Sequence, residues 1–205
     1  MTGRRQHWDD TYRAKDETRV SWFQETPGRS LALIEAAAPD KDLPILDVGG
    51  GTSRLAGALL DRGYSDLSVL DISEVALDCA KGRLGDRAAR VSWITTDVTQ
   101  WVPARQWQVW HDRALFHFLT EDSAQQAYVT ALARGTRPGA SVIIAGFSPS
   151  GPERCSGLPV IRHSTAGLAE CLGKNFTLVG ETREIHRTPA GTDQDFLYVS
   201  FRRQL

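Results

Sequence analysis

Between residues 44 and 147 the sequence alternates two hydrophobic rhythms. Short, nearly continuous apolar runs at 44–49, 67–72, 91–96, 108–112 and 142–147 are separated by stretches of helical period at 53–63, 74–84 and 121–134. A run such as SVIIAGF leaves no polar face, so it predicts a strand covered on both sides. Strands spaced by helices imply right-handed crossovers in a parallel sheet. The C-terminal pattern is different. Runs at 176–185 and 196–203 are joined by the turn-rich HRTPAGTDQD, which predicts an antiparallel hairpin at the sheet edge. Ser164 caps a short helix, STAGLAECL, that Gly173 closes. An alanine-rich helix over 29–38 stops at Pro39, and the residues before it are less regular, with Trp8, Tyr12, Trp22 and Phe23 among charges. The pattern predicts one α/β domain: a doubly wound, Rossmann-like sheet, mostly parallel, with an antiparallel strand in the C-terminal hairpin. Its parts are a partly helical extension (1–40), a core (41–148), and a loop with the hairpin (149–205).

Composition narrows the partners. Lys plus Arg number 24 against 25 Asp plus Glu, so the net charge of -1 supplies no basic field for nucleic acid. No apolar run approaches the ~20 residues of a membrane span, and no apolar stretch follows the arginines of MTGRRQHWDD. A soluble, cytoplasmic protein with no membrane partner is expected. Cys79, Cys155 and Cys171 suit neither a disulfide framework nor a Cys-x-x-Cys knuckle, and are read as free thiols with no metal.

The most informative segment is PILDVGGGTSR at 44–54, where a strand runs into three glycines and a helix begins at once. Without Cβ atoms, such a turn lets a ligand lie against bare N–H groups at the positive end of a helix. The dinucleotide fingerprint would place a third glycine where Arg54 stands, and no Gly-Lys-Ser/Thr of a phosphate-cradling loop follows. What remains is Asp-x-Gly-x-Gly, with Asp47, Gly49 and Gly51, and an acid, Asp71, that ends the next strand 20 residues beyond Gly51. A carboxylate there can accept both hydroxyls of a ribose. The third strand ends in Thr96-Asp97-Val98, where a carboxylate could accept from an adenine amino group.

In this ordered set (LDVGGGT, VLDIS, TTDV) the chain resembles the class I S-adenosylmethionine-dependent methyltransferases over residues 44–148. The resemblance implies a seven-stranded sheet with a reversed last strand, and S-adenosylmethionine as cofactor, leaving as S-adenosylhomocysteine. It also implies that Asp47, Gly49, Gly51, Asp71, Ile72, Asp97, Val98 and Asp112 bind it, with Ile72 on the adenine face. Gly50 departs from relatives that carry Cys or another small residue, and this should only loosen the turn.

Ligands in open α/β sheets bind at the carboxyl ends of strands, so the exit of the fourth strand, WHDRALFHF, should face the reacting methyl. Asp112 and His117 are the catalytic candidates there, and His117 has an ordinary pKa suited to proton removal. The bland alternative is a buried histidine between Phe116 and Phe118. His111 should face the other way and be structural. The 17-residue loop SPSGPERCSGLPVIRHS leaves the same end of the sheet with Arg154, Cys155, Arg162 and His163. The segments WDDTYR and SWF resemble the lid of small-molecule methyltransferases of the thiopurine and tellurite-resistance kind, and of certain protein-lysine methyltransferases. That likeness puts Trp8, Tyr12, Trp22 and Phe23 around the acceptor, where His117 of the strand exit and Cys155 of the loop would join them at the carboxyl edge of the sheet; otherwise the aromatics simply pack an extra helix on the sheet. If the last strand is reversed, the hairpin tip with His186, Arg187 and Gln194 should fall at the end opposite the loop, unless it folds back.

The function expected is transfer of a methyl group to a nucleophile on a small molecule. A protein lysine is the alternative acceptor, and a noncatalytic S-adenosylmethionine-binding module is the remoter one. Asp9, Asp10, Asp16 and Glu17 would suit a cationic lysine, whereas the loop's Arg, Cys and His would suit an anionic or thiol-like acceptor.

Overall fold

The four residues of β1 (Ile45–Val48) are all buried, and alternate ones serve two different cores. Ile45 faces α2 (Gly28–Ala37) and α3 (Leu55–Asp61), whereas Leu46 and Val48 join Tyr128 and Leu132 of α5 (Asp122–Gly135). A strand with helices on both sides has no solvated face, which is why its sequence is apolar except for Asp47, a carboxylate hydrogen-bonded to His111. The computed structural model describes residues 2–204.

Around β1 lie β2 (Leu67–Asp71), β3 (Val91–Thr95), β4 (Trp107–Arg113) and β5 (Thr136–Phe147), all parallel. The C-terminal strands β8 (Phe176–Arg187) and β9 (Asp193–Arg203) complete a seven-stranded sheet of order β3-β2-β1-β4-β5-β9-β8, with β9 alone reversed. This is the predicted fold class. The order changes direction between β1 and β4, which opens a crevice at their carboxyl ends. Capping fixes the crossovers: Ser73 Oγ accepts from Ala76 N–H at 3.2 Å to start α4 (Glu74–Leu84), and Ser164 Oγ from Gly167 N–H at 3.1 Å to start α6 (Thr165–Leu172).

The first residues form one continuous helix, α1 (Thr2–Ala14), within the extension expected to be partly helical. One sequence expectation changes. The hairpin tip lies at the carboxyl end of β5, because β8 runs parallel to β5 and delivers the chain there; Phe196, just past the tip, pairs with Phe147. The direction of the incoming strand sets a hairpin's tip, and β9 only carries the chain back.

The 148–164 loop is also ordered. It contains a two-residue hairpin of β6 (Arg154–Cys155) and β7 (Leu158–Pro159), turned at Ser156 and Gly157 with φ of 48° and 78°. Ser148 and Ser150 hydroxyls donate to Asp195 Oδ2, which ties the loop to β9. Among the described residues no helix is long and apolar enough to cross a membrane.

Candidate active site

The glycine turn is built against β2. Gly49 and Gly50 N–H both donate to the Leu70 carbonyl, at 2.7 and 3.1 Å, and Gly51 N–H donates to Asp71 Oδ2 at 2.8 Å. Ser73 N–H holds the other oxygen of Asp71 at 2.8 Å. Burial pushes the Asp71 carboxyl up to about 6, against the pull of these N–H groups, and the nearby Asp47 adds to the rise. Gly49 and Gly51 have φ of +70° and +51°. A Cβ at Gly49 would stand 2.7 Å from Leu115 Cβ, and one at Gly51 2.6 Å from Tyr12 Oη. Gly50 is not a slack position either, because its Cβ would stand 2.5 Å from Val69 Cγ1 and 2.9 Å from Asp47 Oδ2. This corrects the expectation that glycine there merely loosens the turn: the surroundings have closed onto the bare backbone.

Beside the turn opens a cleft of about 710 Å³. One wall consists of strand ends: Gly49, Asp71, Ile72, Thr96, Asp97 and Val98. The opposite wall is aromatic, with Trp8 and Tyr12 of α1, Trp22 and Phe118. Trp8 meets Phe118 edge-on at 5.0 Å between ring centroids and Trp22 at 5.8 Å. A second hollow of about 540 Å³ runs along the glycine turn and contains Phe23, Asp47, Arg54 and His111. Tyr12, Trp22, Gly49 and Arg113 line both, so the two are neighbours across those side chains.

The covering segment is fastened at several points. Ser73 Oγ donates to Asp9 Oδ1 at 2.6 Å, and Arg83 pairs with Glu17 while donating to the carbonyls of Thr52 and Ser53 at 3.0 and 2.8 Å. From the hairpin, His186 Nε2–H donates to the Ser21 carbonyl at 2.7 Å. From β4, Arg113 Nη1 donates to the Trp22 carbonyl at 3.1 Å.

The candidate residues therefore separate. Gly49, Asp71, Ile72, Asp97, Val98, Trp8, Tyr12, Trp22 and Cys155 line the cleft, Asp47 and Phe23 line the second hollow, and Gly51 lies under Tyr12. Asp47 accepts from His111 Nδ1–H at 2.7 Å, and His111 Nε2 accepts from Ser30 Oγ at 2.9 Å, a buried chain that braces β1 against β4. Cys155 faces the cleft as a thiol, which burial pushes up to about 11.

Asp112 and His117 are in neither hollow, which corrects the expectation for both. Asp112 points to the α5 side, where it accepts from Leu115 N–H at 2.9 Å, Phe116 N–H at 3.2 Å and Tyr128 Oη at 2.7 Å. Burial raises this carboxyl too, to about 6, and the hydrogen bonds it accepts hold it back. His117 is 2 % exposed and packs edge-on against Phe118 at 4.4 Å. It lines, with His163 and Phe147, a separate hollow of about 240 Å³ behind the cleft. Burial, and then the positive charge of Arg113, push its pKa down to about 3, so it is neutral and a poor proton acceptor. The cause is local: Ala114 takes a φ of 68°, and Phe116–Phe118 coil into a 3-10 turn, so the two-residue alternation of β4 ends and Phe118 enters the cleft in place of His117. His117→Ala is expected to cost about 1–3 kcal/mol of stability by emptying a buried site. The pH profile of turnover should keep its shape; loss of a limb near neutrality would restore the histidine as a base.

Arg113, Arg4, Leu115, Phe118 and Leu119 line the cleft unanticipated. Arg113 was missed because it shares the face of His111 on β4, the face that sequence reasoning set aside as structural.

Residues 45–139 match the family model described as a methyltransferase domain. A curated relative, the eEF1A lysine and N-terminal methyltransferase of Mus musculus, is 31% identical over 102 residues, covering 48% of this chain and 14% of that protein. The EEF1A lysine methyltransferase 2 of Danio rerio is 24% identical over 157 residues, 69% of this chain and 67% of its own length. The chain thus spans 14% and 17% of the eEF1A lysine and N-terminal methyltransferases of Mus musculus and Bos taurus. Among solved structures, one described by the conversion of a disulfide bond into a thioacetal group during echinomycin biosynthesis superposes with a TM-score of 0.78 at 23% identity, covering 98% of this chain and 92% of that one. N-methyltransferase NodS from Bradyrhizobium japonicum, in complex with S-adenosylhomocysteine, superposes with a TM-score of 0.74 at 16% identity, covering 96% and 98%.

Proposed function

We propose that the protein transfers the methyl group of S-adenosylmethionine to a nucleophile on a small molecule. The observation that carries this reading is the continuity of a bare-backbone turn and two acidic strand ends with an aromatic wall, all under one fastened segment. The cofactor fits what is present, since Cβ atoms at Gly49 and Gly51 would intrude on the turn. Asp71 would accept from the ribose hydroxyls, using lone pairs left by Gly51 and Ser73. Ile72 and Val98 would flank the adenine, and Asp97, whose Oδ1 is taken by Thr99, would accept from its amino group through Oδ2. The methionine portion would follow the turn into the second hollow beside Arg54. Residues 1–40 act as the lid, 41–148 as the cofactor core, and 149–205 as the acceptor-side loop and hairpin.

The bound sulfonium supplies an already activated methyl group. The chain's own work is to exclude water and hold the acceptor in line, between Trp8, Tyr12, Trp22, Phe118 and Cys155. Tyr12 Oη has its pKa pushed well up by burial and by Asp71, and Cys155 stays protonated at neutral pH. With His117 outside the cleft, the acceptor arrives ready to react or gives its proton to water. The lysine-directed relatives favour a second reading, with a protein lysine amine between the aromatic walls, which can receive a cation. Labelled methyl donor offered to pools of thiols, amines and carboxylates, and separately to cell protein, decides between them by the product labelled.

The cofactor site has its own pH test. A ribose diol donates best to an ionised carboxylate, so binding favours the charged form of Asp71. With its pKa near 6 in the free protein, affinity for S-adenosylhomocysteine should fall as pH drops through 6, by about tenfold at pH 5. Calorimetric titration measures this, and in Asp71→Asn the weakened affinity should no longer follow pH. A wild-type affinity independent of pH between 5 and 7.5 would remove Asp71 from the ribose.

A further inference from the structure

Arg113 stands where the two hollows meet, and its partners are all neutral. Nε donates to Tyr198 Oη at 3.0 Å, Nη1 to the Trp22 carbonyl at 3.1 Å, and the guanidinium lies over the Phe196 ring at 4.5 Å. Nη2 is buried and has no hydrogen-bond partner. The guanidinium is half-buried, and leaving the buried Nη2 donor unused carries a desolvation cost that a ligand acceptor would relieve. The acids near the cleft are otherwise engaged. Glu184 accepts from Tyr198 Oη and Gln24, Asp71 and Asp97 hold the turns at the far end, and Asp9 and Glu17 bind Ser73 and Arg83. Asp10 and Asp16 serve α1 and the turn after it, so none of the lid's acids lines the cleft. A second cation, Arg4, does line it.

We propose that Arg113 is the acceptor-recognition residue, its planar fork taking a carboxylate on a flat, apolar small molecule and rejecting an ammonium-bearing one. The inference rests on the methyl-transfer reading and names its acceptor class. Bidentate pairing suits a guanidinium to a carboxylate, and the walls of Trp8, Tyr12, Trp22 and Phe118 suit a planar body. The glycine-turn hollow has a guanidinium of its own in Arg54, which pairs with Glu25 and lies 4.0 Å from Glu17 while its Nε is buried without a partner. That group, beside the turn, leaves Arg113 for the acceptor. The pKa of both His117 and His186 is lowered first by burial and then by the positive field of Arg113.

The test uses the full chain saturated with S-adenosylhomocysteine and titrated with benzoate, 4-hydroxybenzoate, benzamide and benzylamine. The carboxylates are expected to bind at least about tenfold more tightly than benzamide, with benzylamine weakest. In Arg113→Gln that preference should shrink to within about twofold. Tyr198→Phe, which removes a neutral partner and keeps the charge, should retain it. Affinity of Arg113→Gln for S-adenosylhomocysteine should stay within about threefold of wild type. Benzamide or benzylamine matching benzoate on the wild type overturns the proposal, as does a carboxylate preference that survives Arg113→Gln. Arg113→Gln binding 5′-methylthioadenosine normally but S-adenosylhomocysteine tenfold less well overturns it too, by assigning the guanidinium to the cofactor's carboxylate. A wild type that binds neither nucleoside fails the methyl-transfer reading instead, and the same acids and amides titrated without nucleoside then decide the role of Arg113.

Discussion

Gly51→Val is expected to weaken S-adenosylhomocysteine binding by more than about a hundredfold while leaving a folded domain. Two effects act together. The residue sits at φ +51°, where a β-branched side chain adds about 1–3 kcal/mol of strain. Its new Cβ would meet Tyr12 Oη at 2.6 Å and reach to 3.5 Å from Asp71 Oδ2, the oxygen that the Gly51 N–H itself holds at 2.8 Å. The side chain therefore drives into Tyr12 of the cleft wall and crowds Asp71, the acid proposed for the ribose. The strain falls on one turn, while the helices and strands around it keep their packing, so circular dichroism should remain native and the melting temperature should drop by a few degrees. Adding Tyr12→Phe separates the effects, since it removes the closest clash and leaves the strain. Calorimetric titration showing wild-type affinity in Gly51→Val would reduce the glycines to turn formers.

Removal of residues 1–15 is expected to lower turnover by at least about a hundredfold, with S-adenosylhomocysteine bound only about tenfold more weakly. α1 carries Trp8 and Tyr12, hence much of the aromatic wall, together with the Asp9 bond to Ser73. Without it the acceptor faces water on one side and loses its alignment. The strand ends and glycine turn are untouched, and Val20, at 1 % exposure the buried anchor of the remaining segment, is kept. Steady-state kinetics with one identified acceptor, set beside calorimetry with S-adenosylhomocysteine, measures both losses. Full turnover in the shortened protein would mean that the segment is packing and not a lid.

The sheet was legible because strands with helices on both faces are mostly apolar, and the buried stretches of β1, β2 and β5 carry only isolated polar residues such as Asp47, Ser68 and Ser141. The acids beside the cleft were legible for a related reason: Asp71 and Asp97 break apolar runs at the ends where the chain leaves the sheet. α1 was harder to see, since its cleft-facing Trp8 and Tyr12 are isolated among polar residues and show only a single i,i+4 pair. The exit from β4 misled for a different reason. Local periodicity cannot foresee Ala114 at φ 68°, and that one residue decides whether His117 or Phe118 looks into the cleft. Asp112, the most acidic-looking candidate, was drawn the wrong way by its own chemistry, since a carboxylate beside free N–H groups caps the turn that follows it.

The fastening of the lid has a kinetic meaning. Arg83 joins Glu17 to the carbonyls of Thr52 and Ser53, so the same guanidinium grips both the cover and the loop beneath it. In the methyl-transfer reading, a cofactor lying along that loop is sealed in as soon as the grip forms. The cofactor must then load first and its spent form leave last, with the acceptor exchanging in between. In that reading the parting of Arg83 from Glu17 precedes release of the spent cofactor, and unlatching would then pace turnover together with chemistry.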